Sequence, residues 1–220
     1  DLNILTTQRL LEAARHATAL KKFVYASSSS VYGDSDDLPL CESSALSPIS
    51  PYGVSKLAGE HLVRLYAKSF GVATVSLRYF TVYGPRQRPD MAFHKFLRAI
   101  YTGKAIHIYG DGEQTRDFTF VSDAVQANVL AMTHGKPGSY FNIGGGSRVT
   151  VNQCLEMMRD ITKRDFAVSY DSQQHGDVRH TWANTTAAQA VLGFQPQIPL
   201  REGLEAENAW FKKVMLGRFV

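Results

Sequence analysis

Cysteine is scarce in this sequence, and the two that occur, Cys41 and Cys154, lie far apart along the chain. They match no ligand spacing of a zinc or iron–sulfur site, so no metal is expected. Two isolated thiols also make no disulfide framework of the kind that small secreted domains use. The cysteine content therefore predicts a protein of a reducing compartment, the cytoplasm.

Long apolar runs and blocks of like charge are also missing. No stretch approaches the ~20 apolar residues that a transmembrane helix needs, and no secretory leader is visible. The 24 lysines and arginines against 20 acidic residues give a formal net charge of +4, yet they form no run of five or more. This pattern argues against a nucleic-acid-binding or membrane-surface protein and favours a small anionic substrate.

The chain also lacks an initial methionine. It begins at Asp1, and residues 4–14 already carry apolar side chains at helical spacing. We therefore expect a piece of a longer protein. The 220 residues, 44% of them apolar, exclude a disordered or fibrous chain and are enough for one sizeable core or two small ones.

Helical and strand patterns alternate along the sequence. They predict helices at residues 3–16, 51–70, 93–101, 123–133, 152–162, 186–192 and 201–213, and strands at 23–27, 73–79, 105–109, in RDFTFV and in YFNIGGG. The order of strand 23–27, helix 51–70 and strand 73–79 is typical of an α/β protein with a parallel sheet. We predict a truncated sheet domain over residues 1–84 and a smaller α+β region over residues 85–220, partly interleaved with the sheet.

Ligands of open parallel sheets bind at the carboxyl ends of the strands, which here directs attention to the loops after Ser27 and Tyr79. The long helix that follows the first loop begins SPYGVSKLAGE, with Tyr52 and Lys56 four residues apart on one helix face. An ammonium near a phenol favours its ionised form, which can accept a proton from a sugar hydroxyl. The spacing alone also fits an ordinary amphipathic helix with a solvated lysine.

Seven segments in order give the pattern more weight. They are NILTTQRLLEAAR, KKFVYASSSSVYGD, SPYGVSKLAGE, VSLRYFTVYGPRQRPDMA, IYGDGEQTRDFTFVSDAVQA, SYFNIGGG and GDVRHTWAN. Together they resemble the extended short-chain dehydrogenase/reductase family, in particular its nucleotide-sugar epimerases and dehydratases. The resemblance extends over nearly the whole chain and implies a Rossmann-type doubly wound sheet whose N-terminal part is missing here.

The resemblance implies NAD as the cofactor and Ser28, Tyr52 and Lys56 as the catalytic triad, supported by Asn3. The residues it places against NAD are Asn3, Ser27, Tyr52, Lys56 and Tyr79. The family's GxxGxxG turn, which receives the NAD pyrophosphate at a helix N-terminus, is not in this sequence. Either that stretch of the protein is omitted, or the fragment alone cannot hold NAD and is inactive.

Within the family, the residues of the serine loop also differ between enzymes that catalyse different reactions. Its 4,6-dehydratases carry an Asp-Glu pair directly after the catalytic hydroxyl, and its UDP-glucuronate decarboxylases carry a Glu two residues after it. Ser29 and Ser30 stand at these places, so the resemblance favours C4 epimerisation. The alternative is that Ser29 and Ser30 belong to a turn at the end of the strand, where the backbone satisfies their hydrogen bonds.

The segment FTVYGPRQRPDMA, residues 80–92, resembles the version found in UDP-glucuronate 4-epimerases. By position, Ser29, Ser30, Thr81 and Arg88 are expected around the sugar carboxylate, where an arginine offers a planar fork of donors. Oxidation of a glucuronate at C4 gives a β-keto acid, whose carboxylate these groups would retain. The alternative for Arg88 is a surface arginine paired with Asp90.

The second half is expected to bind the nucleotide. By resemblance, Tyr109 lies against uracil, Arg116 binds the pyrophosphate and Asp177 is a ribose or local structural partner. Gln174 stands where related hexose epimerases have a second arginine for the pyrophosphate. That hydrogen-bond donor is either missing here or supplied by Arg179. By resemblance, Thr181 occupies the position that limits the space at the far side of the sugar. Because threonine is small, an N-acetylated sugar remains an alternative substrate.

The sequence therefore predicts an NAD-dependent UDP-glucuronate 4-epimerase. The alternatives are a UDP-glucose or UDP-N-acetylglucosamine 4-epimerase and a non-catalytic nucleotide-sugar-binding fragment. The expected partners are a UDP-sugar and a second copy, in a homodimer packed through the helices at residues 3–16 and 51–70.

Overall fold

The computed structural model describes residues 3–172, 176 and 178–216. The α-helices are α1 (Leu5–His16), α2 (Pro51–Phe70), α3 (Ala92–Thr102), α4 (Val121–His134), α5 (Val151–Thr162), α6 (Thr186–Leu192) and α7 (Leu200–Val214). The strands are β1 (Phe23–Ser28), β2 (Thr74–Tyr79), β3 (Val82–Tyr83), β4 (Ile106–Tyr109), β5 (Thr115–Asp117), β6 (Thr119–Phe120), β7 (Ser139–Ile143), β8 (Arg148–Thr150) and β9 (Val168–Asp171). A search of these residues finds no helix long and apolar enough to cross a membrane.

The main sheet has three parallel strands in the order β1-β2-β7. Its register sets Ser28 opposite Tyr79, and Tyr79 opposite Ile143. The carboxyl ends of β1 and β2 therefore meet at one edge of the sheet. Helices α4 and α6 cover one face through a cluster that includes Val75, Ala127 and Ala188.

Helix α2 has clear start and stop signals. The Ser50 hydroxyl accepts a hydrogen bond from Gly53 N at 3.1 Å, Pro51 occupies the first turn, and Gly71 ends the helix at φ 70°. A Cβ on Gly53 would lie 2.4 Å from the carbonyl oxygen of Ser30. Glycine at this position therefore lets the first turn of α2 pack directly against the loop that follows β1.

The second half builds short two-stranded pairs, β3 with β6, β4 with β9 and β5 with β8. Helices α3, α5 and α7 pack with them around a second core that includes Tyr83, Phe93, Leu155 and Phe211. Tyr83 makes edge contacts with the Phe93 and Phe120 rings. This core supports the segment after β3, which is next to the end of the main sheet.

The predicted mixed α/β class with a parallel sheet is confirmed, and α2 and α6 have the predicted bounds. Strands β3, β8 and β9 were not predicted. They are two to four residues long, and β8 and β9 are partly exposed, so no apolar alternation reveals them. Strand β7 belongs to the second half of the sequence but pairs with β2 in the main sheet. The predicted division into two regions at residue 84 stays a prediction.

Candidate active site

A cavity of about 640 Å³ opens at the carboxyl ends of β1 and β2. One wall is the serine loop, residues 27–30, with Tyr52 and Lys56 of α2. A second wall is residues 82–88, and Tyr79 and Thr81 also line the cavity. The structure thus brings the predicted catalytic residues together with four of the predicted substrate contacts, Ser29, Ser30, Thr81 and Arg88.

The serine loop turns sharply at the end of β1. Ser28 caps the 3-10 turn Ser29–Val31, because its Oγ accepts from Ser30 N at 3.2 Å. The same hydroxyl lies 3.1 Å from the Ser30 hydroxyl and donates to it. The hydroxyls of Ser28 and Ser30 are therefore hydrogen-bonded to each other within the loop, and both residues line the cavity. The alternative that the backbone satisfies the Ser29 and Ser30 hydroxyls stays a prediction.

Tyr52 and Lys56 lie on the cavity side of α2. The Lys56 ammonium donates to the carbonyl oxygen of Ala26 at 2.9 Å and lies 5.8 Å from the centre of the Tyr52 ring. Burial lowers the pKa of Lys56 below its ordinary value. The Tyr52 side chain is 49% exposed, so its phenol is open to a ligand in the cavity.

Asn3 reaches the catalytic helix through one intermediate. Its Nδ2 donates to Ser55 Oγ at 2.9 Å, and Ser55 Oγ donates to the carbonyl oxygen of Tyr52 at 2.7 Å. Asn3 does not itself line the cavity among the described residues. Its supporting role fits this arrangement, and its predicted contact with NAD stays a prediction.

The described residues offer NAD part of a site. Ser27 Oγ is buried and finds no hydrogen-bond partner in the described part of the chain, although Ser27 lines the cavity. Tyr79, also at the cavity, has a pKa raised to about 12 by burial, so its phenol stays protonated at neutral pH. With Tyr52 and Lys56, these groups fit the reactive end of the cofactor, because a buried free hydroxyl gains a partner when a polar ligand binds.

Arg88 lines the cavity, is exposed and is paired. Its guanidinium donates twice to Asp90, at 3.1 and 2.9 Å, and the side chains are 74% and 63% exposed. This is the surface pair anticipated as the alternative. Because Arg88 also lines the cavity, a carboxylate ligand would compete with Asp90 for the same fork of donors.

The predicted nucleotide-binding residues lie elsewhere. Tyr109 and Arg116 line a second cavity of about 280 Å³, which shares Thr81 with the first. Arg179 pairs with Asp111 at 3.0 Å and lines neither cavity. Arg116 donates to the carbonyl oxygen of Arg179 at 3.1 Å, so the two arginines are neighbours. Asp177 and Gln174 lie outside the described residues.

Thr181 does not stand at either described cavity. It is buried, and its hydroxyl accepts from Asp117 N at 3.3 Å. Asp117 accepts in turn from Gly145 N at 2.8 Å and Ala183 N at 3.0 Å, while burial raises its pKa to about 6. The expectation that Thr181 leaves room for an N-acetyl group has no support from this placement.

Sequence reasoning missed a buried network behind the serine loop. Arg78 of β2 binds Glu60 of α2 through two hydrogen bonds, of 2.8 and 3.1 Å, with both side chains 2% exposed. Arg78 also donates to the Tyr32 hydroxyl at 2.8 Å, and that hydroxyl donates to Asn142 at 2.6 Å. A charged residue within the apolar strand VSLRY was the available signal, because a buried charge requires a partner.

Fold and site together define the class. A parallel sheet, a hydroxyl-bearing turn at the end of one strand, and a tyrosine and lysine four residues apart on the next helix are the arrangement of a short-chain dehydrogenase/reductase of the extended type. A search for three or more potential ligating side chains finds no metal cluster within the described ranges.

The model of the NAD dependent epimerase/dehydratase family matches residues 1–144. YtcB of Bacillus subtilis, an uncharacterised UDP-glucose epimerase, is 43% identical over 98% of this chain and 68% of the relative. A UDP-glucuronate 4-epimerase of Thermodesulfobacterium geofontis is 36% identical over 97% and 66%. The crystal structure of UDP-glucuronic acid 4-epimerase from Bacillus cereus, with UDP-glucuronic acid and NAD, matches with a TM-score of 0.92 at 42% identity, over 96% and 68%. The chain belongs to the NAD-dependent epimerase/dehydratase family.

Membership confirms the predicted family, the Rossmann-type fold and NAD as the cofactor. It also supports the prediction of an NAD-dependent nucleotide-sugar epimerase. The chain spans about two thirds of the length of these relatives. Their names give both glucose and glucuronate as the sugar.

Proposed function

We propose that the protein containing this chain converts UDP-glucuronate to UDP-galacturonate by NAD-dependent epimerisation at C4. The observation that carries the proposal is the chemistry of the larger cavity. Its described lining holds four serines and a threonine, together with Lys56, Arg86 and Arg88, and contains no aspartate or glutamate. A sugar carboxylate would meet donors and positive charge on both walls.

The missing carboxylates favour epimerisation over elimination. Expelling a hydroxyl from a 4-keto sugar needs a properly placed acid and base, and Ser29 and Ser30 supply neither. A 4-keto uronate loses carbon dioxide more readily, so its carboxylate must be held in its charged form. Hydroxyls and arginines instead stabilise the negative charge of an intact carboxylate. The 4-keto intermediate would therefore be retained until it is reduced again.

Tyr52 is assigned the proton transfer in this proposal. Its phenolate accepts the proton of the sugar O4, and Ser28, at the end of β1, hydrogen-bonds the same oxygen. Lys56, placed by the carbonyl oxygen of Ala26, keeps a positive charge near the phenol. Bound NAD would supply the hydride acceptor and donor for C4. Tyr52 then gives its proton back to O4 on the inverted sugar.

Arg88 is assigned to the sugar carboxylate, for which it must leave Asp90. The second cavity is assigned to the nucleotide, with Tyr109 against uracil and Arg116 and Arg179 near the pyrophosphate. Thr81 lines both cavities, which supports one continuous UDP-sugar site. Asp177 keeps its predicted role as a ribose or local structural partner.

The test is turnover by the full-length protein with NAD, followed by NMR. UDP-glucuronate should give UDP-galacturonate, and UDP-glucose should react far more slowly. Arg88→Ala should reduce uronate turnover much more than hexose turnover, with Arg98→Ala, outside the described cavity lining, as the control. Conversion of UDP-glucose alone would contradict the proposal and favour the hexose epimerase that the similarity to YtcB suggests. Absence of NAD from the purified full-length protein would favour the non-catalytic alternative.

We also propose that the protein works as a homodimer in the cytoplasm. Helices α1 and α2 expose apolar side chains, among them Leu5, Leu10, Val54 and Leu65. A second copy packed on this surface would bury them. Light scattering after size exclusion should give the mass of two chains, and Leu10→Glu should give the mass of one.

A further inference from the structure

Arg86 belongs to the second wall of the cavity, residues 82–88. Its backbone has φ 71°, in the left-handed region that side chains other than glycine and asparagine rarely adopt. Lys163, at φ 53°, is the other such residue in the described part of the chain. Lys163 ends helix α5, where a left-handed residue is common. Arg86 ends no helix, so its conformation needs another explanation.

Arg86 is the third residue of a tight turn. Gln87 N donates to the carbonyl oxygen of Gly84 at 3.0 Å, and Pro85 is the second residue. Turns with proline second and positive φ third are of type II, and they favour glycine or asparagine at the third position. The turn would therefore be less strained with glycine in place of Arg86.

Both ends of the turn are fixed by the surrounding structure. Gly84 N donates to Glu207 on α7 at 3.0 Å, and a Cβ on Gly84 would come within 2.9 Å of Phe120 and Val121. Gln87 donates to the carbonyl oxygen of Val82 at 3.3 Å and accepts from His94 N at 3.0 Å. Strain maintained by its surroundings is typical of functional sites.

The guanidinium of Arg86 is also less engaged than that of Arg88. Arg88 is bound by Asp90 through two hydrogen bonds. Arg86 lines the same cavity and forms no ion pair with any carboxylate of the described residues. Its charge is therefore available to a ligand without breaking an existing pair.

We propose that Arg86 is a specificity-determining residue whose guanidinium binds the carboxylate of a uronate in the cavity. This assignment rests on the proposed function. An arginine at this turn position costs stability that glycine would restore, and it gives the cavity a planar fork of donors for an anion. Stability and uronate affinity are therefore expected to change in opposite directions when Arg86 is replaced.

The experiment uses the full-length protein with NAD, in a Tyr52→Phe background that stops turnover while binding is measured. Arg86→Gly should raise the melting temperature by about 1–3 °C, because the strain is relieved. The same variant should weaken UDP-glucuronate binding about tenfold and UDP-glucose binding less than about twofold, as expected for loss of one charge-assisted contact. Arg86→Lys, which keeps the charge and the strain, should weaken UDP-glucuronate about threefold without a rise in melting temperature.

The matched control is Lys163→Gly. It also replaces a cation at positive φ with glycine, but it lies at the end of α5 and lines neither described cavity. Both dissociation constants should stay unchanged in this variant. An Arg86→Gly protein with unchanged binding of both ligands would show that Arg86 serves only the turn. Equal weakening of both ligands, with or without a lower melting temperature, would also overturn the assignment, because it would place Arg86 at the nucleotide or in the loop's structure.

Turnover separates this proposal from the function on which it rests. A protein that binds UDP-glucuronate in an Arg86-dependent way but forms no UDP-galacturonate leaves the Arg86 assignment standing and rejects the epimerase. A protein that does not bind UDP-glucuronate at all rejects both.

Discussion

The two walls of the cavity are each supported by a buried glutamate, and the two carboxyls are held in opposite ways. Behind the serine wall, Glu60 forms two hydrogen bonds with Arg78, and Arg78 binds the Tyr32 hydroxyl next to the serine turn. Beneath the arginine wall, Glu207 accepts one hydrogen bond, from Gly84 N. Its other oxygen is buried without a hydrogen-bond partner among the described residues.

The difference is one of charge. Glu60 has a cation at 2.8 Å, so the serine wall is held by an ion pair that is costly to break in a dry interior. No lysine or arginine of the described residues forms an ion pair with Glu207, and burial raises its pKa to about 8. The arginine wall is therefore held by an acid that is neutral at pH 7, and its support depends on pH.

The largest effect is expected from breaking the ion pair. Arg78→Met leaves Glu60 buried without a cation and should lower the free energy of unfolding by about 3–5 kcal/mol. Urea denaturation of the full-length protein measures the loss. The double variant Arg78→Met with Glu60→Leu should recover a large part of it, because no charge then remains buried. A single variant as stable as the double one would contradict the role given to the pair.

The arginine wall should respond to pH. The folded protein retains a proton on Glu207 between its ordinary value of 4.5 and about 8, where the unfolded chain has released it. Stability contributed by this group is therefore lost as pH rises through that window. Glu207→Gln mimics the neutral acid and should be more stable than the parent at pH 8 by on the order of 3 kcal/mol, with the difference shrinking towards pH 5.

Denaturation curves at several pH values check the Glu207 prediction. Glu205→Gln, on the same helix with its side chain 54% exposed, is the matched control and should leave the pH profile nearly unchanged. Parallel profiles for the parent and Glu207→Gln would show that the buried acid does not titrate in this range.

A smaller effect is expected where the ion pair meets the serine turn. Tyr32→Phe removes a hydroxyl that accepts from Arg78 and donates to Asn142, and it should cost about 1–2 kcal/mol of stability. Hydrogen exchange of the Ser29–Val31 turn should accelerate as well. Tyr101→Phe, which loses one hydrogen bond to Asn208, should leave exchange in that turn unchanged. Equal exchange rates of the turn in both variants would show that the hydrogen bonds of Tyr32 do not stabilise it.

The smallest effect is expected at the exposed pair of the arginine wall. Asp90→Asn should change the free energy of unfolding by less than about 1 kcal/mol, because exposed ion pairs contribute little. UDP-glucuronate should bind about twofold more tightly, since Arg88 is released from a competing carboxylate. Calorimetry measures both quantities, and weaker binding would show that Asp90 positions Arg88 for the ligand.

The sequence predicted the parts of this molecule that follow from local patterns. Helix α2 has its predicted bounds because Ser50, Pro51 and Gly71 act within a few residues of its ends. The convergence of Ser28, Tyr52 and Lys56 followed from the family pattern and from the rule for strand ends. These features depend on short stretches of chain, which a single sequence displays.

Other features depend on residues far apart in sequence. Glu207 meets Gly84 across 123 positions, and nothing near either residue indicates the contact. The positive φ of Arg86 is not visible in a sequence that has arginine where glycine is usual. The separate cavity for Tyr109 and Arg116 likewise arises from tertiary packing of the second half.

Strand β7 has a consequence for how the protein is made. It lies beside β2 in the main sheet, although residues 80–138 separate the two strands along the chain. During synthesis, β2 emerges from the ribosome with one edge open and waits about 60 residues for its neighbour, a delay of several seconds at ordinary elongation rates. Until then its unpaired backbone groups can bind another nascent chain. Slowing translation between these strands should therefore lower the yield of folded protein.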